Sequence, residues 1–102
     1  GSEAEGPLRE ALKIRPDYTE AAFNLGSVLA EAGNPDEAVF WYDRALALHP
    51  RFAEAYNNKG VLAARSGRFE EAAGLFEAAL SIRPGYEDAR RNLERVLAED
   101  RR

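Results

Sequence analysis

Between residues 19 and 52 the apolar positions fall into two helical stripes separated by a turn. Ala21, Ala22, Leu25, Val28, Leu29 and Ala32 keep the i, i+4, i+7, i+8 spacing that gathers them on one helix face. Gly33 comes next, a residue that ends helices because it accepts left-handed backbone. Asn34-Pro35-Asp36-Glu37 then reads as a helix start, with Asn at the cap, Pro in the first turn and Glu placed to reach back. A second stripe of Ala38, Tyr42, Ala45 and Leu46 runs to His49-Pro50. The pattern predicts a helix, a tight turn and an antiparallel helix.

The same pattern recurs with a period of 34 residues: Pro16, Pro50 and Pro84 each close an apolar run. Gly26 matches Gly60, Gly33 matches Gly67, Ala38 matches Ala72, and Ala11, Ala45 and Ala79 align, as do Leu12, Leu46 and Leu80. A period of this size marks an array of one supersecondary unit, whose single hairpins bury their faces only by stacking. The small residues at 26 and 38, and again at 60 and 72, let paired helices approach. Trp41, Tyr42, Phe52, Leu75, Phe76 and Tyr86 supply packing volume.

The array divides into residues 17–50 and 51–84 as full units. Residues 3–16 hold the second helix of an earlier, incomplete unit, expected to start near Pro7. Residues 85–102 form a terminal cap with Ala89, Leu93, Val96 and Leu97 on one side. Gly1-Ser2 reads as an expression-tag scar. The small, aromatic and proline positions Leu25-Gly26, Leu29, Gly33, Ala38, Tyr42, Ala45 and Pro50, echoed at Gly60, Gly67, Ala72, Phe76, Ala79 and Pro84, resemble the tetratricopeptide repeat family over nearly the whole chain. The fold this implies is all-α, a right-handed α-α superhelix (solenoid) of antiparallel hairpins with about six helices. Lys59 departs from the pattern, standing where Leu25 and Leu93 predict Leu, and reads as a lysine whose stem packs while its ammonium reaches water.

Composition narrows the chemistry. The chain has 102 residues, enough for one small domain, and its net charge of −4 does not favour nucleic acid, which needs a basic stripe. No apolar run approaches the roughly 20 residues that span a bilayer, so no membrane insertion is expected. The one histidine, His49, precedes Pro50 at a helix end, where it meets terminal carbonyls; with no cysteine, triads and multi-histidine or thiolate metal sites are excluded. The acidic pairs Asp36-Glu37, Glu70-Glu71 and Glu87-Asp88 sit in opening helical turns, where the helix dipole favours negative charge. No enzyme activity, cofactor or metal is expected. The Ala, Arg, Gly and Glu content hints at a bacterial gene, and a cytoplasmic location is the default.

The resemblance implies a concave groove lined by the first helix of each unit, with Asn24, Asn58 and Asn92 pointing into it. Asparagine offers a donor and an acceptor, so such a row resembles the asparagine ladder of the O-linked N-acetylglucosamine transferase superhelix, which meets a peptide main chain. The same asparagines are common in the family and also serve the repeat's own packing; both roles stay open. By the same mapping Glu20, Phe23, Ser27 and Glu31 flank the first asparagine, Asn57, Val61 and Arg65 the second, and Arg91, Arg95 and Glu99 the third, grading from an acidic and aromatic end toward a basic end suited to a carboxylate. The family's carboxylate clamp for chaperone tails maps to Phe23, Ser27, Asn58, Asp88 and Asn92, where only Asn58 fits. The expectation is a non-enzymatic module for a protein or peptide partner. Self-association as a homo-oligomer through terminal helices is the alternative, and an engineered array without a ligand a minor one.

Overall fold

The computed structural model describes residues 3–101; Gly1-Ser2, read as a tag scar, and Arg102 lie outside the described residues. Among these the chain is all-α, with α1 (Glu5–Ile14), α2 (Thr19–Glu31), α3 (Pro35–Leu48), α4 (Ala53–Arg65), α5 (Phe69–Ile82) and α6 (Glu87–Asp100). The helices group into two compact units that divide between Pro50 and Arg51. In the first, α2 packs on α1 and α3; in the second, α5 packs on α4 and α6, and α4 also touches α6.

Helix ends follow from residue type. Gly33 and Gly67 carry φ of 85° and 78°, backbone that side chains with a Cβ adopt only at a cost of roughly 1–2 kcal/mol. Each glycine closes a Schellman motif: Asn34 N–H donates to the Leu29 carbonyl at 2.9 Å and Gly33 N–H to Ala30 at 3.2 Å. Arg68 and Gly67 repeat this on Ala63 and Ala64, at 2.9 and 3.0 Å. At the other type of turn, Arg15, His49 and Arg83 each precede a proline and leave helical dihedrals, with φ/ψ of −137°/84°, −141°/86° and −131°/90°. The proline ring disfavours the helical conformation in the residue before it, and these helices stop there. Arg15 and Arg83 then lie over the Tyr18 and Tyr86 rings at 4.9 and 4.4 Å from the centroids.

Two details differ from the sequence expectation. α1 begins at Glu5, ahead of Pro7, which sits in the first turn, where its missing N–H would have had no partner anyway. Asn34 is the N-cap of α3 but makes no side-chain cap bond, while its backbone N–H takes part in the Schellman closure. Acidic residues do occupy the first turn of every helix.

Each unit is built around one aromatic ring set into a glycine. In the first, buried Tyr42 lies against Gly26; in the second, buried Phe76 lies against Gly60. Alanines at 21, 22, 38 and 45, with Leu25 and Leu29, complete the first core. Ala63, Ala72 and Val96 surround Phe76 in the second, and Ala53, Ala79 and Ala89 form a further cluster with Tyr56, Leu80 and Tyr86 around it. Lys59 is half-buried, as its long stem allows.

Candidate functional site

The second unit contains a cleft of about 370 Å³ between α4 and α6, floored by α5. Val61, Ala64 and Arg65 line it from α4, Phe69 and Phe76 from α5, and Asn92, Arg95, Val96 and Glu99 from α6. Its size lies at the low end of the roughly 300–1,000 Å³ typical of ligand pockets, enough for one or two side chains. Arg65 and Arg95 are exposed and form no ion pair among the described residues. Arg68, Arg83, Arg90 and Arg91 of the same unit are all paired.

Of the residues expected to line a groove, the structure brings Val61, Arg65, Asn92, Arg95 and Glu99 together here. Arg91 does not join them; it is exposed and paired with Asp88 at 2.9 Å. Asn24 is exposed on α2 of the first unit, and Asn58 is half-buried on α4. Phe23 and Ser27 are both tied to Tyr42: the rings stand 5.6 Å apart, and Ser27 Oγ shares a 3.0 Å hydrogen bond with the tyrosine hydroxyl.

Asn57 departs most from expectation. It is 6 % exposed rather than an open groove residue, and its Oδ1 accepts a hydrogen bond from Asn92 Nδ2 at 3.1 Å. The Asn57 side chain also acts on the Tyr86 phenol, drawing its pKa down. A buried amide without partners costs about 1–3 kcal/mol, and the contact from Asn92 on α6 meets part of that need. Asn92 is thus partly committed to structure, with its carbonyl and second N–H left for other partners.

Tyr86 is held above its ordinary value of about 10, first by burial and then by Glu54, while Arg83 and Asn57 oppose. A folded value raised above the unfolded one adds stability while the phenol is neutral and loses it as pH climbs through the folded value. Stability should therefore fall above about pH 10, and Tyr86→Phe should flatten that alkaline limb in denaturant titrations. An unchanged slope would remove Tyr86 from the account.

Four lining residues were not foreseen as such: Ala64, Phe69, Phe76 and Val96. Comparison of the two repeats carries the signal. Thirty-four residues on, Ser27 becomes Val61, Pro35 becomes Phe69 and Glu31 becomes Arg65. Tyr42 becomes Phe76 in step with Ser27 becoming Val61, so the hydroxyl and its partner disappear together. The substitutions make this cleft apolar within and basic at its edge.

Among the described residues there is no acidic, histidine or cysteine cluster able to hold a metal ion, and no helix is long and apolar enough to cross a membrane. A family model described as tetratricopeptide repeat matches residues 18–85. Among solved structures, an O-GlcNAc transferase mutant from Thermobaculum terrenum superposes with a TM-score of 0.85 at 34% identity, covering 91% of this chain and 18% of that one. YrrB, described as a TPR protein with an unusual peptide-binding site, gives 0.77 at 32% identity over 80% of this chain and 42% of its own. The first TPR of Spaghetti, solved bound to an HSP90 peptide, gives 0.92 over 98% of this chain and 79% of its own; at 20% identity it speaks for the fold alone. The chain therefore spans less than half the length of the transferase and of YrrB. No curated protein matches it in a sequence comparison.

Proposed function

Because the chain belongs to the tetratricopeptide repeat family, we propose that it is a non-enzymatic module that binds an extended peptide or partner segment. Main-chain pairing falls to the asparagine row Asn24, Asn58 and Asn92, and selection to the side chains beside them. The observation that carries this reading is the α4–α6 cleft, an apolar recess with a half-buried asparagine and two unpaired guanidiniums around it. Magnitudes require such a recess. Three hydrogen bonds at roughly 0.5–1.5 kcal/mol each fall short of the about 8 kcal/mol that micromolar affinity needs. Burying one apolar side chain adds about 1.5–3 kcal/mol.

A peptide-library selection on the wild type and on Asn58→Ala tests the reading. The wild type should enrich peptides whose affinity drops about fivefold in the variant, a loss of about 1 kcal/mol, with helical content unchanged. Equal affinities would remove Asn58 from the mechanism. A second reading, self-association, is favoured by Ile14 at the end of α1, which is 82% exposed. No enrichment together with a solution mass above the monomer would select that reading.

A further inference from the structure

We infer that the α4–α6 cleft is a subsite for an apolar side chain that has a carboxylate two residues away along an extended peptide. The inference rests on the peptide-binding reading above and names the chemistry of the segment bound.

The recess itself calls for an apolar group. Val61, Phe69 and Val96 line it, and fully buried Phe76 closes its floor, so a polar side chain seated there would lose water without gaining a hydrogen bond. The volume of about 370 Å³ exceeds what one leucine or phenylalanine fills and leaves room for its neighbouring backbone. Asn92 lines the same recess and retains a carbonyl and an N–H for that backbone.

The edge calls for an anion. Arg65 and Arg95 approach from different helices, and neither forms an ion pair with a described carboxylate. Guanidinium groups present paired N–H donors matched to a carboxylate. Glu99 lines the cleft too, so the edge carries a net charge of +1 from two arginines and one glutamate. In an extended chain, side chains two residues apart project to the same side, roughly 6.5–7 Å from one another. That separation places a carboxylate at the rim when its neighbour occupies the recess.

The repeat comparison makes the site particular to the second unit. The equivalent positions of the first unit hold Ser27, Pro35 and Glu31, which are polar, rigid and acidic where Val61, Phe69 and Arg65 are apolar, aromatic and basic. Ser27 is moreover engaged with Tyr42. The changes fall together on the residues that line the cleft, while Ala30 and Ala64 at its wall stay the same.

Three capped, fluorescently labelled peptides test the inference, with cores Glu-Ser-Leu-Ser-Glu, Gln-Ser-Leu-Ser-Gln and Glu-Ser-Ala-Ser-Glu, measured by anisotropy at low and raised salt. Glutamate on both sides makes the result independent of chain direction. The Glu-Leu-Glu peptide should bind about tenfold tighter than either of the others, the worth of one charge-assisted hydrogen bond or one buried leucine. Raised salt should shrink its advantage over the Gln peptide. Arg65→Gln and Arg95→Gln should each erase most of that advantage while leaving the Gln peptide's affinity unchanged, and Glu99→Gln should strengthen the Glu peptide. Backbone amide shifts on binding should centre on Val61 and Phe69. Equal affinity for the Glu and Gln peptides, or shifts centred elsewhere, would overturn the inference and leave the peptide-binding reading standing. If these peptides and the library-selected ones all fail to bind, both readings fall.

Discussion

Truncating Phe76 to alanine is expected to destabilise the second unit by about 3–5 kcal/mol, the usual cost of a fully buried phenylalanine. The ring is 1% exposed, lies against Gly60, and packs on Ala63, Ala72 and Val96. Several of its neighbours (Gly60, Ala63 and Ala72) have no side-chain length with which to collapse into the space left behind. The loss is a large part of the about 5–15 kcal/mol that holds a domain of this size together. Urea unfolding read by circular dichroism should shift to much lower concentration. Trp41, the sole tryptophan, lies on α3 in the first unit and reports that unit by fluorescence. Noncoincident transitions would place the damage in the second unit, and a loss below about 1 kcal/mol would contradict the packing described.

Adding one methyl group at Gly60 should also destabilise, for the opposite reason. A Cβ there would stand 2.5, 2.8 and 2.9 Å from three atoms of the Phe76 ring, well inside contact distance. The ring is 1% exposed and packs on Ala63, Ala72 and Val96, so a shift away from the added methyl group disturbs those contacts. Overpacking of this kind costs typically 1–3 kcal/mol, against which alanine's better helix propensity returns up to about 1 kcal/mol, so the steric term wins. Gly74 is the control. It is exposed on α5 with nothing within 4 Å of its Cβ direction, so Gly74→Ala should stabilise by about 0.5–1 kcal/mol. Opposite signs for one chemical change within one unit are the expected result of paired thermal melts. Gly60→Ala combined with Phe76→Leu should cost less than the two single changes added, because the smaller side chain makes room. Additive losses would show that the methyl group and the ring do not meet.

The surface ion pairs invite smaller expectations. Arg9 bridges Glu5 and Glu37 at 3.0 and 2.6 Å, and Arg83 reaches Glu54 at 2.6 Å, yet the side chains involved remain substantially in water. Exposed pairs contribute about 0–1 kcal/mol, so the fold rests on its aromatic, alanine and glycine contacts and not on its charges.

Much of this was legible along the chain because helices write their buried face as a spacing. The stripe from Ala21 to Leu29, the stop at Gly33 and the breaks before Pro16, Pro50 and Pro84 are local consequences of backbone sterics, so one residue and its neighbours decide them. The pairing of Gly60 with a large ring was implied by the repeat, since Gly26 and Tyr42 stand in the same register. Candidate groove residues followed from the resemblance, and five of them do share one cleft.

Only the tertiary structure decided which neighbour turns inward where the sequence offers two alike. Asn57 and Asn58 lie about 100° apart around α4, and spacing alone does not say that Asn57 is the enclosed one. Its burial depends on Asn92, 35 residues away, and on Tyr86, whose polar groups make that burial tolerable. Phe69 enters the cleft for the same reason, whereas Arg91 pairs with Asp88 one turn back on its own helix. A side chain's place on its own helix is local, whereas the atoms it meets are supplied by another helix. The sequence by itself therefore determined the helices, their ends and the repeat. The packing of α4, α5 and α6 decided which residues became core, which became cleft and which charges were left without partners.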